Sequence, residues 1–272
     1  MSPAFAPLRL KSLFLSDLHL GARAARPKAA LEFLAAHEAE TIYLVGDIFD
    51  IWHGGRIHWP REAEELLAEL DRRAATGTRV IYLCGNHDAK LRSPEARLPA
   101  GMTAPRHWQR HEVLTHEAAD GRRYLVLHGD QCDSRLMRQH FMTRIGSRAD
   151  AFLRGLDDWL GRRLTPPAPG RPSRIERAIS TFNSLFVMGG RFEARLVALA
   201  RSAKADGVIC GHSHKPMLRS IGGTLYANCG DWVDSFTALI ETHEGALRLV
   251  EWARPPHATR PKTSFGPLAQ DA

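Results

Sequence analysis

Five short polar clusters in this chain could act on one substrate together. They are Asp17-Leu18-His19, Gly46-Asp47, Gly85-Asn86-His87-Asp88, His128-Gly129-Asp130 and Gly211-His212-Ser213-His214. Between them they offer at least seven donors: Asp17, His19, Asp47, Asn86, His128, His212 and His214. One cation rarely takes seven ligands of this kind, whereas two cations sharing a carboxylate can. The four cysteines, Cys84, Cys132, Cys210 and Cys229, form no C-x-x-C pair, so thiolate is not among the donors. Imidazole mixed with carboxylate suits Mn²⁺, Fe²⁺ or Zn²⁺, and manganese is the first expectation. The set is too rich in histidine for Ca²⁺, and Mg²⁺ prefers oxygen. Two cations about 3.5–4 Å apart serve phosphoryl hydrolysis, because they clamp the attacking and leaving oxygens and acidify the water between them.

A single Asp after Gly is an ordinary turn residue, and a single histidine is more often core or surface than ligand. Five clusters that each close an apolar run are not a product of turn chemistry alone. The runs are Leu13–Leu15, Ile42–Val45, Val80–Cys84, Tyr124–Leu127 and Gly207–Cys210. Helical patterns separate the first three: Pro27–Glu40 by its apolar spacing, and Arg61–Ala75 by its Glu, Leu and Ala content after Pro60. Strands alternating with helices imply parallel β-α-β units. In a doubly wound sheet the carboxyl ends of parallel strands share one edge, and ligands bind there. The five clusters are therefore expected to meet along one sheet edge. Beyond Gly211 come short segments, Met217–Ile221, Thr224–Asn228, Phe236–Ile240 and Ala246–Val250, with a hairpin signal at Gly222-Gly223. They read as an antiparallel extension.

At 272 residues, 44% hydrophobic and 25% charged, the chain has the composition of a globular protein long enough for its own core. Its net charge of +7 favours an anionic partner. The charge is local. Residues 132–205 carry 14 Lys plus Arg against 6 Asp plus Glu, show no strand run, and contain a proline-rich linker at Thr165–Pro172. We read 1–253 as one domain interrupted by a helical insertion at 132–205, and 254–272 as a loose tail. The insertion holds large apolar residues, including Phe141 and Phe186, that either pack on each other or form a groove for acyl chains. Arg135, Arg138 and Arg191 are candidates to grip a phosphate. No apolar stretch approaches the roughly 20 residues needed to span a bilayer, and Met1–Leu10 lacks a signal core. The expectation is a cytoplasmic protein that can sit on the inner face of an anionic membrane. No nucleic-acid motif is present, and no nucleic-acid partner is expected.

Taken in order, Asp17-Leu-His19, Gly46-Asp47-Ile-Phe-Asp50, Gly85-Asn-His-Asp88, His128 and Gly211-His-Ser-His214 resemble the signature of calcineurin-like metallophosphoesterases, over about residues 10 to 232. The resemblance implies a four-layer α/β sandwich, helix–sheet–sheet–helix. It implies that Asp17, His19 and His214 hold a first cation, that Asn86, His128 and His212 hold a second, and that Asp47 bridges. It further implies that His87 lies over the substrate phosphate and that Asp88 orients His87. The chain is similar to one branch in particular, the bacterial UDP-2,3-diacylglucosamine pyrophosphohydrolases, through Gly46-Asp-Ile-Phe-Asp-Ile-Trp52, His128-Gly-Asp130 and Asn228-Cys-Gly-Asp-Trp232. That branch cleaves a pyrophosphate to UMP and a lipid phosphate, an early step towards lipid A. One position departs: His87 follows the motif asparagine where the branch carries arginine. The rival readings are a two-metal hydrolase of a soluble phosphodiester or nucleotide, and a metal-bound scaffold without turnover. A scaffold has no need of His87 and Asp88.

Overall fold

The computed structural model describes residues 6–52, 57–93, 95–99, 101–132 and 191–252. The first sheet is built from β1 (Leu8–Leu15), β2 (His37–Val45), β3 (Arg79–Leu83), β4 (Gln109–His111), β10 (Thr237–Glu241) and β11 (Leu247–Glu251), in the order β11-β10-β1-β2-β3-β4. The second contains β5 (Val113–Glu117), β6 (Arg123–Leu127), β7 (Gly207–Cys210), β8 (Met217–Ile221) and β9 (Thr224–Asn228), in the order β5-β6-β7-β9-β8. Among the described residues three α-helices accompany them: α1 (Pro27–Ala36), α2 (Arg61–Ala75) and α3 (Arg191–Ser202).

Alternation along the strands explains the layering. Successive side chains of a strand face opposite ways. Leu13 and Leu15 of β1, Ile42 and Leu44 of β2, and Val80 and Tyr82 of β3 pack with Phe33 and Leu34 of α1 and Leu66 and Leu70 of α2. Their neighbours Phe14, Tyr43, Val45, Ile81 and Leu83 face the other way. They pack on Tyr124, Val126, Ile209 and Ala227 of the second sheet. The outer face of that sheet, Leu125, Leu127, Val208, Cys210 and Tyr226, is covered by Leu196, Val197 and Ala200 of α3. The result is the four-layer helix–sheet–sheet–helix sandwich. This is the sandwich that the resemblance implies; the doubly wound sheet read from the alternation of strands and helices is corrected, since the apolar runs divide between two sheets.

Other expectations are corrected in detail. The helix expected at Pro27–Glu40 ends at Ala36, and residues 37–40 begin β2, whose His37 pairs with Leu8 of β1. His37 Nδ1–H donates to the Phe33 carbonyl at 2.8 Å, and Arg73 of α2 reaches the carbonyls of Leu34 and His37 at 2.6 and 2.8 Å. These bonds satisfy carbonyls that the last helical turn leaves open. The C-terminal segments are not one antiparallel extension. β8 and β9 form the hairpin turned by Gly222-Gly223, whose φ angles of 55° and 80° suit glycine. However, β9 runs parallel to β7, and β10 returns to the first sheet antiparallel to β1. Helix α3 lies within the segment read as an insertion and forms the sandwich's outer layer there. Residues 133–190, and with them Arg135, Arg138, Phe141 and Phe186, lie outside the described residues, as does the tail 254–272. Arg191 opens α3. Among the described residues no helix is long and apolar enough to cross a membrane.

Candidate metal centre

The five clusters do meet, at the common carboxyl end of β1, β2, β3, β6 and β7, so the site spans both sheets. Backbone bonds knit the loops together before any side chain is counted. Asp17 N–H donates to Gly46 O at 3.0 Å, His19 N–H to Asp47 O at 2.9 Å, and Gly211 N–H to His128 O at 3.0 Å. Asp17, His19, Asp47, His212 and His214 all hold positive φ, between 47° and 66°. A non-glycine residue there is uncommon, and clusters of such residues mark functional loops. Close approach accounts for the glycines beside them. A Cβ on Gly46 would strike the His128 ring, and one on Gly211 would strike Ser16 and Asp17.

The donors form two groups. Asp17, His19 and His214 place one ligand atom each within 4.8 Å of one another, as do Asp47, His128 and His212. Asn86 joins the second group, with its Oδ1 at 2.9 Å from His212 Nδ1. Asp47 Oδ2 lies between the groups, 3.3 Å from His128 Nε2 and 4.0 Å from His19 Nε2.

Divalent cations fit this donor set. His128 Nε2 and Asp17 Oδ1 are buried with no hydrogen-bond partner, a costly state for polar atoms unless a ligand satisfies them. His19 Nε2 and His214 Nε2 face each other at 3.2 Å, so two lone-pair positions converge on one point. Burial alone would raise the Asp47 carboxyl, but the imidazoles of His128 and His87 outweigh it and hold it below the usual carboxylate range. Asp17 is likewise held well below that range, with His214 and His19 outweighing burial. Conversely, burial would lower the imidazole of His214, yet Asp17 pushes it up to about 9. The carboxylates thus set a field that favours positive charge, which protons or metal ions can supply.

His87 stands against the first group, its ring 4.6 Å from that of His19, and with His19 and Asp50 it places ligand atoms within 4.8 Å of one another. Its Nδ1 is 3.1 Å from Asp50 Oδ1, its ring is 4.8 Å from that of Trp52, and its Nε2 is 4.0 Å from Asp47 Oδ2. This corrects the role expected of Asp88. Asp88 accepts from Gly85 N–H at 2.6 Å and from the N–H groups of Ile48 and Phe49 at 2.9 and 3.3 Å, and it does not touch the His87 ring. Facing inward from the turn after β3, its carboxylate ties the Asp47 loop to the Asn86 loop. The residue that holds His87 is Asp50. Asp130 of the fourth cluster pairs through Oδ2 with Arg92 at 2.9 Å, while its Oδ1 is buried without a hydrogen-bond partner.

The sequence reading missed four contributors. Asp50 and Asp231 stood within quoted motifs with no role given. Ser16 bonds Asp17 and the Val45 carbonyl. Asn228 Nδ2 donates to Gly211 O at 2.6 Å and holds the loop that carries His212 and His214. No local pattern separates such braces from ordinary core polar residues.

Fold and donors together define a metal-dependent phosphoesterase, and residues 10–216 match the calcineurin-like phosphoesterase family, to which the chain belongs. Its curated relatives include the UDP-2,3-diacylglucosamine hydrolase of Ralstonia nicotianae, 30% identical over 83% of this chain and 86% of that protein. The protein of the same name from Neisseria meningitidis serogroup B is 28% identical over 86% of this chain and 95% of its own length. Among solved structures, Vacuolar Protein Sorting 29 from Cryptosporidium parvum aligns at 13% identity with a TM-score of 0.43, over 89% of this chain and 97% of that one.

Proposed function

We propose that this enzyme hydrolyses the pyrophosphate of a nucleotide-linked lipid sugar of the UDP-2,3-diacylglucosamine kind, releasing UMP and a lipid phosphate. The observation that carries the chemistry is the pair of donor groups meeting at Asp47 with buried, unsatisfied ligand atoms on both sides. Asp17, His19 and His214 would hold one divalent cation, Asn86, His128 and His212 would hold the other, and Asp47 would serve both. Manganese is the first choice for both, with iron or zinc as alternatives. Bound there, the pair supplies Lewis acidity and an acidified water. Water adds to one phosphorus, a P–O bond of the bridge breaks, and the leaving phosphate oxygen gains a proton.

His87 handles that oxygen. Its Nδ1 is engaged by Asp50, which leaves Nε2–H for substrate. Burial would lower its pKa, but the carboxylates of Asp47 and Asp50 raise it above the ordinary histidine range, favouring the protonated form that can donate. The lipid substrate is supported by the names of the relatives and by the basic charge and large apolar side chains of residues 132–205. Arg135, Arg138, Phe141, Phe186 and Arg191 are proposed to bind it there. An anionic inner membrane face is the proposed place of work.

The test is hydrolysis of a panel by the Mn²⁺-loaded chain: UDP-2,3-diacylglucosamine in detergent, a cyclic nucleotide, and bis-p-nitrophenyl phosphate. Strong preference for the acylated substrate supports the reading. Preference for the soluble diesters replaces it with the second reading, which His87 favours, since the branch carries arginine at that position. Phe141→Ser with Phe186→Ser should raise KM for the acylated substrate steeply and leave the small diester unchanged. Equal losses on both, with a falling melting temperature, would make these residues internal core.

A further inference from the structure

The Asn228-Cys-Gly-Asp-Trp232 motif lies directly behind the donors. Trp232 N–H donates to Asp17 O at 3.1 Å. Asp231 is fully buried, and its two oxygens do different things. Oδ1 accepts from the N–H groups of Val233, Asp234 and Ser235, at 2.8 Å for the first, and so closes the turn that follows. Oδ2 is buried without a hydrogen-bond partner and faces His214 Nδ1 at 3.8 Å. The other ring nitrogen, Nε2, points into the first donor group, 3.2 Å from Asp17 Oδ1. A ring shift of about 0.6 Å brings Nδ1 within hydrogen-bond reach of Oδ2.

We infer that Asp231 is a positioning residue for the first cation: its Oδ2 accepts Nδ1–H of His214, fixing the tautomer whose bare Nε2 serves as ligand. Ligating histidines are commonly held this way by a carboxylate, and removing the partner weakens metal binding about 10–100-fold. The geometry also explains why the turn takes so many bonds from one oxygen. Three backbone donors pin Oδ1, so the carboxylate cannot rotate Oδ2 away from the ring. The inference rests on the two-cation reading of the site.

Asp231→Asn separates positioning from turn closure. Its amide oxygen can keep the three turn bonds, while its NH₂ stands where Oδ2 stood and offers a donor to a donor. Calorimetric titration of the metal-free chain with Mn²⁺ should show two binding events in the parent. In Asp231→Asn one of them should weaken about 10–100-fold, with the melting temperature nearly unchanged. Unaltered binding of both ions by a folded Asp231→Asn would leave Asp231 a turn closer and overturn the inference. Should the variant not fold, ¹⁵N histidine spectra of the Zn²⁺-loaded parent decide. A protonated Nδ1 with metallated Nε2 on His214 supports the role, and the opposite pattern overturns it. A parent chain that takes up no Mn²⁺ would sink the two-cation reading itself, and this inference with it.

Discussion

Two ends of the inter-sheet layer bury imidazoles against carboxylates. At the end away from the metal centre, where His116 pairs with Tyr124 at the start of β6, Tyr43 O–H donates to His116 Nδ1 at 2.9 Å. His116 Nε2–H donates to Glu241 Oε2 at 2.8 Å, and Ala119 N–H donates to Glu241 Oε1 at 2.8 Å. Each group of this chain has its partner. At the other end, past the close of the same strand, His128 Nδ1–H donates to Val45 O while its Nε2 has none, and Asp17 Oδ1 and Asp231 Oδ2 are also without partners. Burial and residue type are alike at the two ends. What distinguishes them is satisfaction: the closed network is structural, and the open one has the donor atoms that cations suit.

The comparison can be broken most sharply at Asp47. Asp47→Ala should lower kcat by about 10³-fold or more, since the lost charge stabilisation amounts to several kcal/mol. It should also lower bound Mn²⁺ to one ion or none by metal analysis. A variant keeping two ions and near-normal turnover would end the two-cation reading. Next in size, His87→Ala should lower kcat about 10²–10⁴-fold while both ions remain, and Asp50→Asn should reproduce part of that loss. Loss of an ion from His87→Ala would make His87 a ligand. At the closed end the effects should reverse in kind. Glu241→Leu leaves His116 and the Ala119 N–H unsatisfied and should destabilise by about 1–3 kcal/mol. That corresponds to a few degrees of melting temperature per kcal/mol, with kcat/KM unchanged for the folded fraction. Tyr43→Phe should be milder, about 1 kcal/mol.

The smallest effect is pH-dependent. Burial alone would raise the Glu241 carboxyl, but hydrogen bonds from His116, Ser12 and Ala119 outweigh it and hold it below its ordinary value of 4.5. A depressed carboxyl stabilises the fold above the unfolded pKa, and that contribution disappears as pH falls through the lower folded value. Melting curves between pH 6 and pH 3 should therefore flatten in Glu241→Gln relative to the parent.

The donors were legible because each closes an apolar run, and a strand's carboxyl end is a predictable place for chemistry. Their distribution over two sheets was not legible from periodicity. Leu13–Leu15 or Val80–Cys84 reads the same whether its strand lies in one wide sheet or in a sandwich, since both faces are buried either way. β4 and β5 went unread because Gln109–His111 is short and polar, and Val113–Glu117 is largely exposed. The exchange between Asp88 and Asp50 was hidden for another reason. The resemblance implied Asp88 for His87, but consecutive residues in a tight turn diverge, and the neighbour in this chain lies 37 positions away.

The parallel pairing of β6 with β7 leaves the chain with a crossover to complete. It leaves the second sheet beside His128 and returns through α3, whose Phe192 ring lies 5.7 Å from that of His212. Both junctions of the crossover thus lie against donors, His128 where it leaves and His212 where it returns. A change at either junction is therefore felt by the metal donors as well as by the sandwich that carries them.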